Sequence, residues 1–288
     1  MASASGIELV PTEKLNPMET TTYGTGELIK AALDQGVQEI IIGIGGSATV
    51  DGGVGMAMAL GFQVLDAEGK SVGFGGKALA RIAKVSAEGA DPRLKKIAIK
   101  VACDVTNPLT GVKGAAAVFG PQKGATPEMV TILDTGLGRL GDAWIAAGMT
   151  KDVAQNGDGA AGGVGAALRI FMGAKMEGGA LIVMRYAGFF DKLKTADLVI
   201  TGEGMTDSQT AGGKLCSVVA QACREAGVPV ALLSGGLGGD PTELLASFDY
   251  AVSISCGQTS LAAMLRDSRR DLRYAAANLT RAMKIIRK

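Results

Sequence analysis

Three stretches of this chain bring carboxylates, hydroxyls and glycines together at spacings that suit anion chemistry. Residues 39–55 read Glu-Ile-Ile-Ile-Gly-Ile-Gly-Gly-Ser-Ala-Thr-Val-Asp-Gly-Gly-Val-Gly: an apolar run empties into a loop with Gly45, Gly46, Gly52 and Gly53, the hydroxyls of Ser47 and Thr49, and one charge, Asp51. Glycines let backbone N–H groups converge on an anion with no Cβ in the way. A phosphate cradle beside a carboxylate is what phosphoryl transfer requires, because that chemistry rests on positioning, charge neutralisation and bound magnesium. A second apolar run, 97–103, ends in Asp104-Val-Thr-Asn107. The third and densest stretch follows residues 196–201 with Gly202, Glu203, Gly204, Asp207, Gln209 and Thr210, and Lys214 just beyond. Two carboxylates, an amide, hydroxyls and a lysine within a dozen residues are more than a connecting turn needs. Lys123 is presented separately by the turn Gly120-Pro-Gln-Lys-Gly.

Competing readings of the same residues are definite. Glycine after an apolar strand also makes an ordinary tight strand-to-helix turn. The 39–55 stretch lacks the lysine of a P-loop. It comes closer to a dinucleotide fingerprint, Gly43-x-Gly45-x-x-Ala48, with Asp66 near the distance expected of a ribose-binding acid. That keeps an NAD-binding oxidoreductase as an alternative, although Gly52, Gly53 and Gly55 fall where the fingerprint's helix should begin and glycine is a poor helix former. The glycine-dense stretch 157–165 opens a helix and suits either an anion or close backbone packing.

Composition narrows the classes further. The 288 residues are 47% hydrophobic, with 43 Gly but only seven Phe, four Tyr and one Trp, which indicates a loop-rich α/β protein with an aliphatic core. With 29 basic against 28 acidic residues the net charge is +1, so neither nucleic acid nor an anionic membrane is called for, and the ligand is expected to be small. The chain has no histidine, which removes Ser-His-Asp and Cys-His catalysis and histidine metal sites together. Cys103, Cys216, Cys223 and Cys256 have no C-x-x-C spacing and read as free thiols in a reducing, cytoplasmic setting. There is no signal-peptide pattern and no run long enough to span a bilayer.

The elements that must position these residues follow from periodicity. Helices are expected over 27–35, 56–60, 126–147, 166–170, 189–193, 218–226 and 266–288, the last with Leu272, Ala276, Leu279, Met283 and Ile286 on one face. Strands are expected over 40–42, 62–65, 97–103, 181–184, 196–201, 229–233 and 250–254. Ile40, Ile41 and Ile42 show no polar alternation, which predicts a strand covered on both faces.

In this order the segments closely resemble the bacterial glycerate kinases of glyoxylate and sugar-acid metabolism. The carrying motifs are Thr20-Thr-Thr-Tyr-Gly-Thr-Gly-Glu-Leu-Ile29, Ile42-Gly-Ile-Gly-Gly-Ser-Ala-Thr-Val-Asp-Gly-Gly53, Ala102-Cys-Asp-Val-Thr-Asn-Pro-Leu109, Val118-Phe-Gly-Pro-Gln-Lys-Gly-Ala125, Gly159-Ala-Ala-Gly-Gly163 and Ile200-Thr-Gly-Glu-Gly204. The resemblance implies ATP- and magnesium-dependent phosphorylation of D-glycerate, with 2-phosphoglycerate the favoured product. It also implies a two-domain α/β fold in which one domain is inserted into the other. Two departures stand out. The family's chain carries a further N-terminal segment before the point where this sequence starts, so the core is expected to be N-terminally truncated, and a catalytically impaired fragment that binds nucleotide only is a further alternative. Met205 stands where the family pattern has arginine, a bidentate donor that methionine cannot replace.

The resulting expectation is a Rossmann-like parallel-sheet core from residues 1–60 and 190–288, an inserted α/β domain from 61–189, and a site where the two meet. Gly45, Gly46, Ser47, Thr49, Gly52, Gly53, Asn107, Lys123, Gly202, Gly204 and Gln209 are expected to bind substrate or phosphate. Glu203 and Asp207 are expected to serve magnesium or the glycerate hydroxyl, with Asp51 and Asp104 as competing candidate bases. Lys123 or Lys214 would offset charge on the transferring group or on the carboxylate. A homodimer is left open.

Overall fold

The computed structural model describes residues 1–207, 215–257 and 260–286. Its helices are α1 (Ala2–Ser5), α2 (Tyr23–Asp34), α3 (Val54–Ala59), α4 (Ala115–Phe119), α5 (Pro127–Ala146), α6 (Ala160–Met172), α7 (Gly179–Tyr186), α8 (Phe189–Leu193), α9 (Leu215–Ala226) and α10 (Leu261–Ile286). Its strands are β1 (Glu39–Gly43), β2 (Gln63–Leu65), β3 (Lys84–Ser86), β4 (Ala98–Ala102), β5 (Lys175–Glu177), β6 (Val199–Thr201), β7 (Met205–Thr206), β8 (Val230–Ser234), β9 (Gly236–Leu237) and β10 (Tyr250–Ser253). The architecture is mixed α/β with parallel sheets, as the periodicity predicts.

The chain divides into two compact units, Met1–Gly179 and Ala180–Lys288. This differs from the expected division, in which residues 1–60 share a domain with 190–288. The reason is strand pairing: β1 is parallel to β4, with Ile40 opposite Ile99 and Ile42 opposite Val101, and β4 is in turn parallel to β5. The first apolar strand therefore completes a sheet with residues 98–102 and 175–177.

In the first unit, α5 shows how local sequence places an element. Thr126 caps it by accepting a hydrogen bond from the Met129 N–H at 3.3 Å, Pro127 occupies the first turn and Glu128 meets the positive end of the dipole. Leu133, Leu137, Leu140 and Trp144 then recur at helical spacing, and all four are fully buried. Trp144 stacks edge-on against Phe171 of α6, with ring centroids 5.5 Å apart, and Phe171 meets Phe62 at 4.6 Å. The expected two-sided burial of β1 holds for Ile42 but not for its neighbour Ile41 on the alternate face, which is 42% exposed.

In the second unit, β8 lies between β10 and β6, parallel to both, and all five of its residues are buried. Cys216, Val219, Ala220 and Cys223 of α9 pack beneath it with Val230, Leu232 and Phe248. Residues 181–184, expected as a strand, belong instead to helix α7. A four-residue apolar run does not distinguish the two, and its continuation through Met184, Arg185 and Tyr186 suits a helix. On α10 the buried positions are Asp271, Ala275 and Leu279, whereas Leu272 of the expected apolar face is exposed.

Candidate active site

The loop after β1 is held by three other segments of the first unit. Thr20 Oγ1 donates to the Ala48 carbonyl at 2.8 Å. From residues 5–7, the Ile7 N–H donates to Gly46 O at 2.8 Å and Ser5 O accepts from the Ala48 N–H at 2.9 Å. From the second glycine stretch, Gly162 O accepts from the Gly52 N–H at 3.0 Å. At Gly162 the second glycine stretch makes the close backbone contact that was one of its two readings. A Cβ on Gly162 would lie 2.1 Å from Thr49 O, so the two loops pack backbone against backbone. Residues 161–163 all have positive φ, and Ala161, at 53°, is the one non-glycine residue of the described chain in that region. An L residue there costs on the order of 1 kcal/mol.

Asp51 is entirely buried and faces the interior of this loop. Its Oδ2 accepts from the Thr22 N–H and hydroxyl, both at 2.8 Å, and from the Gly55 N–H at 3.3 Å, while Oδ1 accepts from the Gly53 N–H at 3.1 Å. Burial pushes the carboxyl above its usual range, against the pull of the Thr22, Gly53 and Gly55 donors. Gly52 and Gly53 also point inward: a Cβ on Gly52 would meet Leu140 at 2.4 Å, and one on Gly53 would meet Ala167 at 2.4 Å. Thr49 Oγ1 is buried with no hydrogen-bond partner among the described residues.

The other half of the loop opens onto a cavity of about 450 Å³, lined by Gly45, Gly46, Ser47, Cys103, Asp104, Gln122, Lys123 and Ala161 among others. Lys123 is 1% exposed and its ammonium donates to Ser47 Oγ and to Thr49 O, each at 2.7 Å. Burial lowers its pKa to about 8, with Asp51 pulling the other way. Asp104 is exposed, and its Oδ1 accepts from the Gly179 N–H at 2.8 Å. Asn107 serves the loop beyond, donating to Lys113 O at 2.8 Å.

In the second unit, Gly202, Glu203 and Gly204 follow β6 and line a cavity of about 610 Å³ with Gly235 after β8 and Ser255 after β10. These are the carboxyl ends of three parallel strands, where open α/β sheets bind ligands. Glu203 Oε1 accepts from Thr206 Oγ1 at 3.0 Å, and Thr206 Oγ1 meets Ser234 Oγ at 2.9 Å. Asp207 directly follows β7, on which Met205 is 54% exposed. Gln209 and Lys214 lie outside the described residues. No group of three or more His, Cys, Asp or Glu that could hold a metal occurs among the described residues. One or two carboxylates such as Glu203 and Asp207 still fit magnesium, which takes few protein ligands and completes its shell with water and substrate phosphates.

Residues 1–284 match the model of the glycerate kinase family. The chain belongs to that family. It is 51% identical over 237 residues to a glycerate kinase of Haemophilus influenzae and 51% identical over 242 residues to one of Bacillus subtilis, covering 82% and 83% of this chain. It is also 48% identical over 241 residues to glycerate 2-kinase of Escherichia coli K12, covering 83%. In each case the match spans 63% of the relative's length. A crystal structure assigned as glycerate kinase 2 from Salmonella typhimurium LT2 superposes with a TM-score of 0.87 at 44% identity, covering 99% of this chain and 75% of that one.

Family membership and geometry both bear on the dinucleotide alternative. The fingerprint needs a strand, a tight turn and a helix, but α3 begins only at Val54, well after Gly43. Asp66 sits in the turn after β2, where its Oδ1 accepts from the Glu68 and Lys70 N–H groups at 3.1 and 2.8 Å, and β2 pairs antiparallel with β3. That aspartate closes a hairpin-like turn, and the oxidoreductase reading is not favoured. Sequence reasoning assigned no part to Thr22, although it completes the Asp51 network, or to Ala161 in the cavity wall. The signal for the first was the Thr20-Thr-Thr22 run of the family motif; Ala161 gave none, since alanine at positive φ has no local signature.

Proposed function

We propose that this chain acts as a glycerate kinase, transferring the γ-phosphoryl group of ATP to D-glycerate with 2-phosphoglycerate as product. The observation that carries this reading is the match of residues 1–284 to the family model together with a relative described as glycerate 2-kinase. The two cavities, one with a buried cation and the other with Glu203 at strand ends, support it.

In such a reaction the protein mainly positions and neutralises charge. Asp51 holds the β1 loop in shape, Lys123 places a positive charge beneath Ser47, and Asp104 is the candidate base of the first unit. Glu203 and Asp207 would hold magnesium, which when bound offsets the charge of the nucleotide phosphates. A cytoplasmic location is part of the proposal: the described cysteines are free thiols, and no helix among the described residues is long and apolar enough to cross a membrane.

The test is ADP release from the purified chain with magnesium-ATP, with and without D-glycerate, and ³¹P NMR of the product. Glycerate-dependent ADP and a 2-phosphoglycerate resonance are expected. No ADP above the rate without glycerate, with ATP still raising the melting temperature, would leave a nucleotide-binding chain without kinase activity.

A further inference from the structure

The cavity of the first unit has one feature that says which end of a substrate it takes. Ser47 Oγ accepts a hydrogen bond from the buried ammonium of Lys123, and it has no other hydrogen-bond partner among the described residues. A hydroxyl carries one proton and two acceptor lone pairs. With the lysine on a lone pair, the Ser47 proton is left to donate, and Ser47 lines the cavity. A hydroxyl polarised by an ammonium is a stronger donor than a neutral one, so the pair offers a charge-assisted hydrogen bond to an oxyanion.

We propose that Ser47 and Lys123 form one oxyanion-binding unit for the carboxylate of a small hydroxy acid. This rests on the kinase reading and adds the orientation of its acceptor substrate. The wall of the cavity favours a carboxylate over a polyphosphate. It presents one buried cation, matched to a single negative charge, and it includes Asp104, whose exposed carboxylate would repel a polyanion but accepts a hydrogen bond from an alcohol. Asp104 Oδ1 is taken by the Gly179 N–H, which leaves Oδ2 to receive the substrate hydroxyl. A hydroxy acid therefore meets donors at its acid end and an acceptor at its alcohol end.

Burial also brings the pKa of Lys123 down to about 8. The titratable groups near Lys123 are Asp51 behind the loop and Asp104 and Cys103 in the cavity wall. Burial raises the Cys103 thiol above its usual value. Glycerate binding should therefore weaken as pH rises through about 8, where Lys123 loses its proton.

Calorimetric titration of the full chain with D-glycerate, with glycerol and with ATP tests this without turnover. Expected results are binding of D-glycerate, no binding of glycerol, and a loss of glycerate affinity of about 10–100-fold in Ser47→Ala with ATP affinity within about twofold. Lys123→Met should bind glycerate weakly and without the limb near pH 8. Ser47→Cys, a weaker donor, should fall between and serves if the alanine variant does not fold. Unchanged glycerate affinity in Ser47→Ala or Ser47→Cys overturns the proposal. So does a loss confined to ATP, which would make phosphate the bound anion. If glycerate binds in a Ser47-dependent way but no ADP is formed, the kinase reading fails and this one stands; turnover with unaltered glycerate KM in Ser47→Ala is the converse.

Discussion

Asp51 Oδ2 accepts both the backbone N–H and the side-chain hydroxyl of Thr22 at 2.8 Å, tying the start of α2 to the glycine loop after β1 across 29 residues of chain. Thr22 Oγ1 in turn accepts from the Met56 N–H at 2.9 Å, so one carboxylate organises two helix starts.

Asp51→Asn presents an amide to N–H donors where an acceptor is needed. It is expected to destabilise the fold by about 1–3 kcal/mol in urea denaturation, the cost of leaving buried polar groups mismatched. Loss of turnover with undiminished stability would return Asp51 to the candidate bases.

The two glycine loops touch at Gly162, whose Cβ would lie 2.1 Å from Thr49 O. Gly162→Ala is expected to cost about 1–3 kcal/mol through overpacking, on top of strain at its positive φ of 74°. Ala161→Gly, at φ 53°, should instead stabilise by up to about 1 kcal/mol. Melting temperatures of the pair should move in opposite directions.

Lys123 gives a pH signature in stability. Its folded pKa is about 8 against an ordinary value of 10.5, so the unfolded chain binds more protons between these values. The contribution is fully present above 10.5 and is lost as pH falls through 8. Stability of the wild type relative to Lys123→Met should therefore rise across pH 8 to 10.5, and parallel curves for the two proteins would refute the buried charge.

Asp104 and Asp207 are the carboxylates whose roles turnover can separate. A general base contributes about 10²–10⁴-fold, so Asp104→Asn should lower kcat in that range with the fold intact. Asp207→Asn should lower turnover with a raised requirement for magnesium, a dependence that Asp104→Asn should not share.

Met205 is more than half exposed, so Met205→Arg should leave stability within about 0.5 kcal/mol. Under the proposed function, a guanidinium there adds a bidentate donor beside Glu203 and Asp207, and KM for ATP is expected to fall about tenfold. An unchanged KM would show that residue 205 does not reach the nucleotide.

The linear sequence by itself determined the α/β class, the strands ending in glycine or carboxylate loops, helix α5 with its cap, and the family, because each is written in neighbouring residues: β-branched runs, Thr126-Pro-Glu and long contiguous motifs. What the tertiary structure decided were relationships between distant segments. Asp51 and Lys123 are both charged residues beside glycines in sequence, yet one closes the inside of a loop through Thr22 and the other lies beneath Ser47, 76 residues away, at a cavity wall. The pairing of β1 with β4, which in turn pairs with β5 and so keeps residues 39–43 in the first unit, likewise depends on long-range strand alignment. Local propensity fixes which residues can form a strand or present a charge; only packing fixes which strand lies beside it and whether that charge faces solvent, a ligand cavity or another part of the chain.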